Sequence, residues 1–226
     1  MRVRRSVRFY CWLGLSLAGW LGGCSPPPHM RSQIENYGSD DDRVWVRGPW
    51  PVIKPSTDVD DVVDQMCAAV MPLPNAMARN YGQEYCGVLY TLDDGLFYAS
   101  YPSPLHPPWQ PEPADVKMCI VPRRVVDARG RVMSRIDYHS HPWAGSRLSQ
   151  EDREARRQRY SIRIQFDSVC HVMKLIPYLE ENRPGEVYER RGRSWTLIGL
   201  IKPEDKDRGV MTPVDDRQPS HALEEP

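Results

Sequence analysis

Apolar positions along this chain follow two different periods, and the switch between them organises everything else. Val59, Val62, Val63, Met66 and Val70 recur at helical spacing, with Asp58 placed to cap and acids in the first turn. That pattern predicts a helix over 59–70. Pro72 and Pro74 end it, and Ala76–Tyr81 is expected to add a short helical turn. From Glu84 a period of two takes over. Cys86, Val88 and Tyr90 alternate before Leu92-Asp-Asp-Gly95, and Leu96-Phe-Tyr-Ala99 leads back, with Asp94-Gly95 as the hairpin signal. Pro102 to Pro113 contains six prolines and cannot pair as a central strand. Beyond it the pattern predicts strands over 116–126 and 131–138, a charged helix over 150–160, and strands over 170–179 and 186–202. The arginines of 150–160 read as a solvated helix face.

The two ends carry no such period. Arg2, Arg4, Arg5 and Arg8 precede a short apolar run, Phe9–Leu21, too short to span a bilayer comfortably. The run closes on Leu21-Gly-Gly-Cys24, which is similar to a bacterial lipobox. Residues 1–23 are then a lipoprotein signal peptide and Cys24 is the lipidated first residue of the mature chain. An ordinary secretory signal or an uncleaved anchor is the alternative. Ser25 after the cysteine favours the outer membrane, so the expected location is the bacterial cell envelope, lipid-anchored to the membrane. Residues 24–57 read as a proline-rich tether, with Trp45, Val46, Trp50, Val52 and Ile53 able to pack as an edge segment. Residues 58–203 form the folded domain and 204–226 a charged, disordered tail.

Charge narrows the partners. The 226 residues hold 30 basic and 30 acidic side chains, and the signal removes four arginines and no acid. The mature chain is therefore near −4, and nothing points to a nucleic-acid partner. Of six cysteines, Cys11 leaves with the signal and Cys24 is lipidated. Cys67, Cys86, Cys119 and Cys170 remain, an even number suited to an oxidising compartment, with three full pairings open.

The candidate chemistry lies between His139 and Asp152. His139 and His141 are two apart, so on a strand both imidazoles project from one face. Pro142 stops the ladder. Ten residues further on, Asp152 follows Ser149 at N-cap spacing, placing a carboxylate in the first turn of a helix. Two imidazoles and a carboxylate leave one tetrahedral position open, as a catalytic zinc site requires. The full pattern His-x-His-Pro-x6-Ser-x-x-Asp arises in a shuffled chain of this length roughly once in a hundred thousand.

These residues resemble the JAMM motif of the MPN+ metalloproteases, whose best-known members are zinc deubiquitinases. Glu84-Tyr-Cys-Gly87 is similar to that family's early Glu-x-x-Gly. The resemblance implies an α/β fold, with a central curved mixed β-sheet flanked by helices in the layering that cytidine deaminases share. It also implies one Zn2+ per chain on His139, His141 and Asp152, with Glu84 as general base and Ser149 as oxyanion donor. A peptide or protein substrate, cleaved at a peptide or isopeptide bond, follows from it. Trp143 and Ala144-Gly145-Ser146, between the ligands, are expected to line the groove, and His171 to be a packing or exposed residue. An inactive lipid-anchored binding module and a secreted effector or toxin domain are the alternatives. All five motif residues are present, which favours the enzyme.

Overall fold

The computed structural model describes residues 36–40, 43–107 and 117–214. The expected signal peptide, the lipidated Cys24 and the tail from residue 215 lie outside the described residues. No helix among the described residues is long and apolar enough to cross a membrane.

The predicted helix forms over the expected residues, α1 (Val59–Val70), with the Asp58 side chain accepting from the Asp60 backbone N–H. Its buried stripe of Val62, Val63, Met66, Cys67 and Val70 packs on Leu89, Ala99, Ile136, Tyr138, Ile164 and Phe166. Those partners belong to an eight-stranded sheet. Its strands, in chain order, are β3 (Cys86–Thr91), β4 (Phe97–Ala99), β6 (Met133–Ser140), β7 (Ile162–Phe166), β8 (Val172–Ile176), β9 (Gly185–Arg191), β10 (Ser194–Ile201) and β11 (Thr212–Pro213). The spatial order is β11-β10-β9-β8-β7-β6-β3-β4, and only β6 and β7 are parallel neighbours.

The expected α/β class holds in its coarser form: mixed sheets dominate and helices are few. A central sheet flanked by helices is not what forms. α1 lies against one face, while the other face is covered by a second sheet over β3 and β4 and by Leu148 and Met211 over β8, β9 and β10. That sheet, β1 (Tyr37–Asp40), β2 (Arg43–Arg47) and β5 (Arg124–Val126), packs Val46 and Val125 against Val88, Tyr90 and Tyr98. β3 is thus buried on both faces, Leu89 toward α1 and Val88 with Tyr90 toward the small sheet. Gly87 is required there, because a Cβ would lie 2.2 Å from the Tyr138 ring.

Several element boundaries are corrected. The domain begins before residue 58: Val44 and Val46 alternate inward on β2, and Trp50 and Ile53 are buried, so the tether is folded from β1 onward. Of the stretch expected as a strand over 116–126, the described part from 117 is a strand only at its end, over β5. The helix expected over 150–160 is a single turn, α2 (Gln150–Arg153), followed by a 3-10 turn at Ala155–Arg157. Further helix is prevented because the Asp152 carbonyl takes the side chains of Gln158 and Arg163. The 186–202 stretch is a hairpin, β9 and β10 around Gly192. Residues 204–214 are ordered as well: a 3-10 turn over Pro203–Arg208 leads to β11, which pairs with β10.

Candidate metal centre

Register brings the site together. In the antiparallel β3–β6 pair Cys86 faces His139, and Tyr85 exchanges bonds with Ser140, donating to its Oγ at 3.0 Å and accepting from its N–H at 3.1 Å. Glu84, one residue further out, therefore arrives beside His141. Parallel strands β6 and β7 need a crossover between them. Here the crossover is residues 141–161, and it carries Ser149 and Asp152 back over the end of β6.

His139 Nε2 and His141 Nε2 lie 3.1 Å apart. Asp152 Oδ1 is 3.4 Å from the first and Oδ2 is 3.3 Å from the second. Donor atoms of these three residues all fall within 4.8 Å of one another. Atoms about 2.0–2.1 Å from one ion at tetrahedral angles must stand about 3.3–3.4 Å apart, so the observed spacing fits a small cation. Glu84 Oε1 is 3.7 Å from His141 Nε2, close enough to face the same centre without joining it.

The positions are held from behind. Ser149 and Asp152 form a capping box: Ser149 Oγ accepts from Asp152 N at 3.0 Å, and Asp152 Oδ2 accepts from Ser149 N at 3.0 Å and from Ser149 Oγ at 2.8 Å. Oδ1 is left for the site, and the Ser149 hydroxyl is engaged with the carboxylate. His141 Nδ1 meets Ser146 Oγ at 2.7 Å. Ser146 is anchored in turn, its N–H on Asp167 Oδ2 at 3.0 Å and its carbonyl on Gln165 Nε2 at 3.0 Å. Asp167 Oδ1 also accepts from the backbone of Val169 and His171, in the turn that the Cys67–Cys170 disulfide ties to α1. His171 itself is largely exposed.

Burial sets the electrostatics. Desolvation, then the Asp152 charge, raises Glu84 well above the ordinary carboxylate value, against the Cys119 backbone N–H and the Arg163 and Lys117 cations. Desolvation also lowers His139, despite the pull of Asp152. For Asp152 desolvation acts upward but is outweighed by attraction to His139 and hydrogen bonds from His139 and His141, which hold it well below its usual value.

The group opens onto a cleft of about 640 Å³. Trp143, Ser146, Ser149 and Glu84 line it, as does the segment from Lys117 to Val121, which a second disulfide, Cys86–Cys119, ties to β3. Arg156, Arg157 and Arg159 line it too, so arginines expected on a solvated face border the site, with Arg156 and Arg159 exposed as expected. All five residues singled out from the sequence meet here. The Asp167 anchor and the Cys119 N–H were not legible because they act through contacts distant in sequence, and Ser146 as the His141 partner, five residues away, because the bond depends on how the loop turns.

Compared with protein-family models, characterised proteins and solved structures, the chain matches none at a significant level.

Proposed function

We propose that this chain is a zinc-dependent hydrolase that cleaves peptide or isopeptide bonds, anchored by lipid at Cys24 in the bacterial cell envelope. The observation that carries the reading is the spacing of the His139, His141 and Asp152 donors around one point, with a buried carboxyl group beside them. The resemblance to the JAMM motif of the MPN+ metalloproteases supports it.

His139, His141 and Asp152 would hold the metal. A bound Zn2+ supplies Lewis-acid chemistry, bringing the pKa of water toward neutrality and polarising an amide carbonyl. Glu84, raised by burial and standing next to that point, accepts the proton of the attacking water and passes it to the leaving amine. Ser149 is the candidate donor to the developing oxyanion. For that its hydroxyl must turn from Asp152 Oδ2 toward the substrate, while the Asp152 N–H contact keeps the residue in place. Ser146 orients the His141 ring through Nδ1, with Nε2 toward His139 Nε2 and Asp152, where it would serve as a ligand. Glu84 and the cleft wall from Lys117 to Val121 narrow the access of bulk water.

Metal content by mass spectrometry tests the reading, on the wild-type chain and on a His139→Ala/His141→Ala variant. About one zinc per wild-type chain, lost in the variant, is expected. A folded wild-type chain that takes up no added zinc would refute the hydrolase and leave the lipid-anchored binding module.

A further inference from the structure

The cationic wall of the cleft has no part in the chemistry above. Most of its charges are answered within the protein. Glu154 faces Arg156 at 2.6 Å and Arg157 at 3.8 Å, and Asp137 holds Arg163 at 2.9 Å. Arg159 is different. It is exposed and makes no hydrogen bond or ion pair with a carboxylate among the described residues; the nearby cations Arg123 and Arg163 act on it more strongly than Asp137, whose carboxylate is held by Arg163.

Arg159 lines both the cleft and a smaller cavity of about 290 Å³. That cavity is lined by Ser134, Arg135, Tyr160 and Ser161 as well. Arg135 has no ion pair among the described residues, and the hydroxyls of Ser134 and Ser161 make no hydrogen bond there. Tyr160 is committed elsewhere, its hydroxyl donating to the Pro122 carbonyl at 2.8 Å. Two guanidinium groups and two hydroxyls, with no acid in the lining, are the elements of an anion receptor. The crossover that brings Asp152 to the metal group also brings Arg159 to this cavity, so the two sites are connected through one short segment.

We infer that this cavity is an anion subsite of the cleft and receives a carboxylate of a peptide substrate. This rests on the reading of the cleft as the place where an amide is cleaved. A planar carboxylate suits a pair of guanidinium forks. A polyanion such as nucleic acid is disfavoured by a mature chain with more acids than bases and by the small number of cations in the cavity. The substrate would thus present an acidic side chain or a free C-terminus at a fixed distance from the cleaved bond.

The test needs no turnover. Acetylated, amidated tetraglutamate and its tetraglutamine counterpart are titrated into the 15N-labelled full-length chain, with and without zinc. The acidic peptide should bind, its counterpart about tenfold or more weaker, and added salt should weaken the acidic one. Arg159→Ala should cost about tenfold in Kd and Arg135→Ala/Arg159→Ala more, whereas Arg193→Glu, on the distant β9–β10 turn, should leave binding unchanged. Equal binding of both peptides, or an Arg159→Ala variant that binds like wild type, overturns the subsite. An oligonucleotide of equal charge that binds more tightly than tetraglutamate overturns the assignment to a peptide. Arg159-dependent binding by a chain that takes up no zinc would leave the subsite standing and remove the hydrolase. Zinc uptake without Arg159-dependent binding would do the reverse.

Discussion

Between α1 and the β9–β10 hairpin lies a second charged cluster, to be set beside the His139, His141 and Asp152 group that could hold a metal ion. Arg190 donates to Asp64 through Nε at 3.0 Å and Nη2 at 2.9 Å, and to Asp60 through Nη1 at 2.9 Å. Trp195 Nε1 joins it on Asp60, Arg193 meets Asp61 at 3.0 Å, and Lys174 sits 4.2 Å above the Trp195 ring. Each acid there meets a donor. At the other cluster, two imidazole nitrogens face each other at 3.1 Å and a carboxyl group is buried beside a second carboxylate. The first arrangement is complete in itself and partly solvated, so it holds a helix to a sheet. The second gathers the donor atoms of His139, His141 and Asp152 around one point that could hold a cation. A cluster of charges is informative about function when its members fail to satisfy one another.

That contrast can be broken or sharpened by experiment. The largest effect is expected at Glu84: Glu84→Gln should keep one zinc per chain and lower turnover of a verified peptide substrate by about 10²–10⁴-fold. Full activity in that variant would place the proton transfer elsewhere. Ser146→Ala comes next, weakening zinc binding by about 10–100-fold in competition with a chromophoric chelator. An unchanged affinity would mean that the His141 ring is held without it.

Glu84 also makes a prediction for the metal-free protein. Its folded value is raised, so as pH rises the unfolded chain releases this proton first, and stability present at low pH declines until the folded group ionises as well. Between those two points the loss is about 1.4 kcal/mol per pH unit. Urea melts from pH 4 to neutrality should show Glu84→Gln gaining on wild type across that interval, and parallel curves would deny the buried charge. The smallest effect belongs to the complete cluster. Arg190→Ala should lower stability by about 1–2 kcal/mol and leave zinc affinity unchanged, because its partners are partly exposed. A change in metal affinity there would couple the two regions.

Legibility in the sequence followed the same division. α1 was readable because its apolar stripe and its cap, Asp58, are both local. The β3–β4 hairpin was readable from Asp94-Gly95, and Gly95 takes the positive φ of 74° that such a turn uses. His139, His141 and Asp152 were readable because ligand spacing is a property of neighbours, whereas Glu84 was found through its likeness to a motif. β7 was missed. Its alternation, Ile162-Arg-Ile-Gln-Phe166, looks half solvated, yet Arg163 and Gln165 are buried and spend their polarity on Asp137 and the Ser146 carbonyl. The early β2 edge was underrated for the opposite reason, since Val46 finds its cover on β3 and β5, remote in sequence.

The Cys67–Cys170 bond spans 103 residues, and Glu84, His139, His141, Ser149 and Asp152 all lie inside that span. As a covalent graph, the working part of the molecule is a closed ring with the Cys86–Cys119 bond as a chord. Cutting any one peptide link of the ring opens it into two pieces that the Cys67–Cys170 bond still joins, and cutting outside it leaves the ring whole. No single scission of the chain can therefore separate one site residue from another.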